Sequence, residues 1–160
     1  MMIPTLDAAD QEPGEKSASQ MRELQLRQIL TLKQHLTLPG DRGRHAAICL
    51  AHLVKPGNSL VRDEALDTLL AALGPDNAPD ARTRAAWALG GLANWVSPYE
   101  LSERIVPALI EALGIKDAGR PDVRVAGQAY HSLLYIGTPD AIEATETYRA
   151  RVIAAKRQED

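Results

Sequence analysis

VPALIEALG (residues 106–114) has two earlier counterparts in the chain, LRQIL (26–30) and LDTLL (66–70), and their spacing decides the fold. Set one above the other, Leu26, Leu66 and Val106 fall in one column. Ile29, Leu69 and Leu109 fill the next, and Leu30, Leu70 and Ile110 the one after. Gly74 and Gly114 then align just past the ends of the apolar runs. The period is about 40 residues, within the range of helical-pair repeats.

A second set of columns follows with a residue of drift. Ala46, Ala85 and Ala126 correspond, then Leu50, Leu89 and Tyr130, then Leu53, Leu92 and Leu133. Each unit is thus an A helix followed by a B helix. Neither helix can bury its apolar stripe alone, whereas stacked units bury a continuous core. Local signals punctuate the pattern. In SPYE, Ser97 is an N-cap, Pro98 the first helical residue and Glu100 the third, a capping box. TPDA repeats the signal with Thr138, Pro139 and Asp140, and Asp41 and Asp80 are candidate caps for two further helices. Gly40, Gly57, Gly74, Gly114 and Gly137 stand where helices stop. The resulting map has helices at 19–37, 42–55, 59–73, 80–95, 98–113, 122–136 and 139–157. The repeats run over about 19–57, 58–96 and 97–137, and helix 139–157 caps the open end. Residues 1–18, with Pro4, Pro13, Gly14 and four acids, read as a flexible acidic N-terminal tail.

Composition agrees with an all-α chain. Ala and Leu dominate, aromatic residues are 4% with no Phe, and no β-branched run alternates with period two. The net charge of −3 argues against a general nucleic-acid binder. The charge is uneven: residues 21–57 carry six cations against two acids, and residues 58–80 one cation against five. No run approaches the ~18 apolar residues of a membrane span, and no apolar leader precedes the repeats. The single cysteine, Cys49, excludes an internal disulfide framework and reads as a small core residue. The expected setting is the cytoplasm.

RTRAAWALGGLANW (82–95) carries both tryptophans. On a wheel of 100° per residue, Ala81, Ala85, Ala88, Leu89, Leu92 and Val96 form one apolar stripe. Trp87 lies about 150° from its centre and Trp95 roughly 70°. Trp95 reads as packing near the helix end, against Tyr99. Trp87 is either packed between B helices or an exposed contact residue. On the next B helix Arg124, Gln128, His131 and Tyr135 share a stripe through spacings of 4, 3 and 4. The alignment matches Gln128 to Trp87 and His131 to Gly90, and adds Arg44, Ile48, Ala51 and Lys55 from the first repeat. With Arg84, these residues form either a recognition surface or an ordinary solvated face.

Catalytic chemistry has no visible constellation. His45 and His52 are seven residues apart, about 10 Å along a helix, too far to share a metal unaided. His131 and Ser132 point about 100° apart and cannot form a nucleophile–base pair. ALGGLA lacks the Lys and Ser/Thr of a phosphate loop. No catalytic residue, metal site or cofactor is expected.

VPALIEALG, RAAWALGGLA (84–93) and VRVAGQAYHSLLYIGTPDAI (123–142) resemble HEAT repeats, most closely the bacterial HEAT-like class. The matching features are Pro107 within the first helix, the Val123–Arg124 entry and the IGTP turn; Gly127, Tyr130 and His131 depart from the pattern. The likeness is good over about residues 80–145 and rests on spacing over 20–75. It implies an α-α superhelix (α-solenoid) of about three HEAT-like pairs, with B helices lining the concave side. The function expected is then a non-enzymatic protein-binding adaptor or assembly scaffold. Its partner is an unknown protein, and its binding residues are Arg84, Trp87, Arg124, Gln128, His131 and Tyr135. HEAT-like proteins also include phycobiliprotein (bilin) lyase subunits and alkylpurine DNA glycosylases, which supply the alternative. A homodimer is a further option, because no helix precedes helix 19–37 to cover it.

Overall fold

The structure is a computed structural model that describes residues 16–114 and 122–159. Most of the segment read as a tail therefore lies outside the described residues. Ser17 and Ala18 do not belong to it. Ser17 closes a capping box with Gln20, and Ala18 opens the first helix.

Among the described residues there are seven helices and no strand. They are α1 (Ala18–His35), α2 (Asp41–Val54), α3 (Arg62–Ala72), α4 (Pro79–Gly91), α5 (98–112), α6 (Val123–Ile136) and α7 (Pro139–Arg157). Where the connection is a short described one, as from α1 to α2, α3 to α4 and α6 to α7, consecutive packed helices run antiparallel. α1 packs on α2, α3 on α4 and α5 on α6, with α7 against α6 and α5. Successive B helices also touch: α2 packs on α4, and α4 makes its most extensive contact with α6.

The repeat columns are the core. Leu50, Leu66, Leu69, Leu89, Leu92, Leu109 and Leu133 are fully buried. Burial of each such side chain contributes about 1.5–3 kcal/mol against the entropy of ordering the chain. One column breaks: Leu30 is exposed, while its counterparts Leu70 and Ile110 are half-buried. Cys49 is half-buried rather than central, with its Sγ 3.4 Å from His45 Nε2.

Several boundaries differ from the sequence map for identifiable reasons. Asp41 and Asp80 are not caps. Gly40 and Ala78 hold those positions, and the two acids sit in the first turn, where they face the helix dipole. Gly40 has φ 65°, so it enters α2 through a left-handed conformation that suits glycine. Asp122 is a cap rather than a helical residue, accepting from the backbone N–H of Arg124 and Val125. Ser97 and Thr138 cap their helices as expected, and Gly137 closes α6 in the left-handed conformation.

α4 ends at Gly91 and not at residue 95. Leu92 is its C-cap, and Ala93–Trp95 follow as turns. α5 is also irregular. After Pro98–Glu100 it opens into a π turn, Leu101–Ile105, and resumes as Val106–Ala112. Pro107 lies just beyond. It has no N–H to donate, and its ring would crowd the carbonyl four residues back, so the wider turn accommodates it.

The A helices are stitched by ions. Arg22 pairs with Glu64, joining α1 to α3, and Arg104 with Asp67, joining α5 to α3. Arg62 grips both carboxylate oxygens of Glu100 at 2.7 and 2.8 Å. That hydrogen-bonded guanidinium, opposed by burial and helped by the Ser97 amide, holds the Glu100 carboxyl down to about 2.

Candidate functional site

Tight packing of two B helices creates the site. Gly90 of α4 faces Ser132 of α6 so closely that a Cβ there would lie 2.5 Å from the serine Oγ. Ser132 donates to the Ala86 carbonyl at 2.8 Å, which satisfies a buried hydroxyl. Buried Ala86 and Ala129 complete this seam of small residues. Such a seam brings the helices close and leaves their larger side chains to stand up on either side.

Those side chains border an open groove of about 380 Å³. Ile48, Ala51, His52 and Lys55 line it from α2 and its C-cap. Trp87 and Gly91 line it from α4, and Gln128, His131 and Tyr135 from α6. The two readings of Trp87 are now separated. It is 42% exposed, with the Arg44 guanidinium 5.9 Å from its ring centroid. Tyr135 and Ile48 are also exposed. Gly91 has nothing within 4 Å of where a Cβ would stand, so it opens the groove beside Trp87.

Four of the six expected site residues, Trp87, Gln128, His131 and Tyr135, meet in this groove. Arg84 and Arg124 are directed elsewhere. The Arg84 guanidinium donates to the Leu36 carbonyl at 2.6 Å and passes where a Cβ on Gly43 would stand. It ties α4 to the end of α1. Arg124 reaches back along the seam to Asp80 at 3.0 Å. Helical spacing fixes where a side chain starts, and a long arginine then ends wherever the nearest acceptor lies. Trp95 is not a core residue. It is 47% exposed beyond the end of α4, and the Lys55 ammonium sits 4.9 Å from its ring centroid.

Spacing missed His52 and Ser132. His52 follows Ile48 by four residues and shares its face, a signal present in the sequence. Ser132 announced itself only through its partner glycine on another helix. Gln128 donates to Ser132 Oγ at 3.4 Å, which links the groove wall to the seam.

The electrostatic character of the groove is lopsided. Among the described residues, Lys55 is the cation of its lining, with His52 and His131 beside it, and no carboxylate lines it. Among the described residues no group of three or more His, Cys, Asp or Glu could hold a metal ion. No helix among them is long and apolar enough to cross a membrane. Comparison with protein-family models, with curated proteins and with solved structures finds no match to this chain.

Proposed function

We propose that the chain is a HEAT-like α-solenoid acting as a non-enzymatic protein-binding adaptor or assembly factor, with the α2–α4–α6 groove as its recognition surface. The observation that carries this reading is the exposed Trp87, standing in a concave groove with Tyr135 and Ile48 in reach. An indole held at a water-exposed site by rigid helices is the kind of anchor that dominates protein interfaces. The pre-packed seam beneath it lowers the ordering cost of binding. The repeat columns in the core and the contact of successive B helices support the solenoid itself.

The two arginines that would have made the groove a nucleic-acid channel are spent on Leu36 and Asp80. That weighs against the glycosylase-like alternative. The test is quantitative capture from a lysate of the source organism, with wild type and a folded Trp87→Ala/Tyr135→Ala variant as baits. A protein partner lost at least about tenfold with the variant supports the adaptor reading, at the scale of an aromatic hot spot. Equal capture by both baits overturns the groove assignment. Co-eluting pigment or nucleic acid replaces the adaptor with the lyase-like or glycosylase-like alternative.

A further inference from the structure

Two cations border the groove, and among the described residues no carboxylate answers either. Arg44 and Lys55 stand eleven residues apart, at the start and the C-cap of α2. At 100° per residue they lie within about 20° of one face, roughly 16 Å apart along the helix. Ile48 and Ala51 fall between them on the same stripe and line the groove. Each cation rests on an indole. The Arg44 guanidinium is 5.9 Å from the Trp87 ring centroid, and the Lys55 ammonium is 4.9 Å from that of Trp95. Arginines of the A side behave otherwise: Arg22, Arg62 and Arg104 each hold a carboxylate of a neighbouring helix.

The lining thus has a positive charge toward each end and apolar surface between. His52 and His131 also line it, and each can offer a ring N–H to a carboxylate. The complementary occupant carries an anion at each end and an apolar side chain in the middle. A helix about 10 Å across and 10 Å long fills roughly 800 Å³, twice the groove's 380 Å³, so an extended stretch is what fits within it. Nucleic acid is the poorer match. Two cations so far apart do not make the continuous basic track that a phosphate backbone requires, and the chain's net charge is −3.

We infer that the groove recognises an extended acidic segment of its partner, in which two Asp or Glu residues flank a large apolar side chain. A span of about 16 Å at about 3.3 Å per residue sets the two acids about five positions apart. The acids meet Arg44 and Lys55. The apolar side chain enters beside Gly91, between Trp87, Ile48 and Tyr135. This rests on the groove being a protein-recognition site, and it adds what that site selects. Charge fixes the register of the segment, and the indole supplies the anchor.

The probe is a capped, dye-labelled ten-residue peptide with Asp and Glu five positions apart and Leu and Phe between them. It is titrated against the full chain by fluorescence anisotropy. One companion peptide carries Asn and Gln for the acids, and a second carries Ser for Leu and Phe. The parent peptide should bind about tenfold more tightly than either, the scale of two exposed charge pairs or of one apolar anchor. Placing the two acids side by side should cost about threefold, since one cation is then out of reach. Arg44→Gln and Lys55→Gln should each weaken the parent about threefold and leave the amide companion unchanged, a coupling that loss of structure does not produce. Equal binding of the parent and amide peptides overturns the proposal and leaves a groove that reads apolar surface alone. No binding of the parent up to millimolar concentration also overturns it. So does a single-stranded oligonucleotide that displaces the parent more effectively than unlabelled parent does, which assigns the groove to phosphates. Lysate capture with the Trp87→Ala/Tyr135→Ala bait judges the adaptor reading separately.

Discussion

The seam between α4 and α6 and the groove beside it use the same two helices and follow opposite rules. In the seam, side chains shrink to Gly90, Ala86, Ala129 and Ser132, and the helices close until no further atom fits. In the groove, one residue along, the side chains are large, and the space beside Gly91 is empty to 4 Å. Neighbouring glycines thus serve unlike ends: Gly90 removes volume so that helices meet, and Gly91 leaves volume for something else to enter. The lesson is that a site of this kind needs two designs at once. The close approach supplies rigidity, and the open side supplies access.

The sharpest way to break this contrast is Gly90→Ala. Its Cβ would meet Ser132 Oγ at 2.5 Å and Ser132 Cβ at 2.6 Å, so the seam must part. A loss of about 2–3 kcal/mol in denaturant unfolding is expected, the scale of overpacking a closed core. No loss would mean that the helices are not in contact there.

Next in size is Glu100→Gln, which tests the ion-stitched A side against the B side, joined by its small-residue seam. The folded carboxyl is held at about 2 against an ordinary 4.5. Its contribution is therefore full above about pH 4.5 and drains away as pH falls toward 2. After discounting for partial exposure, the variant should lose about 1–2 kcal/mol at pH 7. Its stability should also fall less steeply than wild type over that acid window. Parallel pH curves would remove the Arg62–Glu100 pair from the account.

Trp87→Ala should be milder still for folding, under about 1 kcal/mol, because the indole is 42% exposed. A loss of several kcal/mol in the same unfolding assay would mark a core residue and return the groove to packing. Smallest of all is Gly91→Ala, the partner of the first experiment. With open space around its Cβ, it should gain about 0.5 kcal/mol from helix propensity. It should nevertheless weaken partner capture by filling the floor beside Trp87. Equal losses for the two glycines would erase the distinction between seam and groove.

Much of this contrast was legible in the sequence, and its limits are physical. The apolar columns gave the core because burial follows periodicity, and eight of the nine A-helix positions aligned by repeat are at least half-buried. The Trp87 wheel angle correctly set that indole opposite the buried stripe. The end of α4 was misjudged because Leu-Ala-Asn-Trp has ordinary helix propensity, and only the paired glycines hint that the helix stops before it. Arg84 and Arg124 were misdirected because wheel position says nothing about where a four-bond side chain finds an acceptor. Ser132 could not be chosen in advance, since its importance is that it faces a missing side chain 42 residues earlier.

The π turn in α5 carries a consequence of phase. One surplus residue in the turn shifts the angular register of everything on its N-terminal side by about 100°. Ser97 and Glu100 lie before the turn, and the repeat columns Val106 and Leu109 lie after it. The turn therefore works as a rotary coupling between two fixed demands, the core below and the Arg62 clasp above. Removing a single residue from Leu101–Ile105 would leave both halves helical while swinging Glu100 away from Arg62. The chain would remain in register for burial and fall out of register for charge.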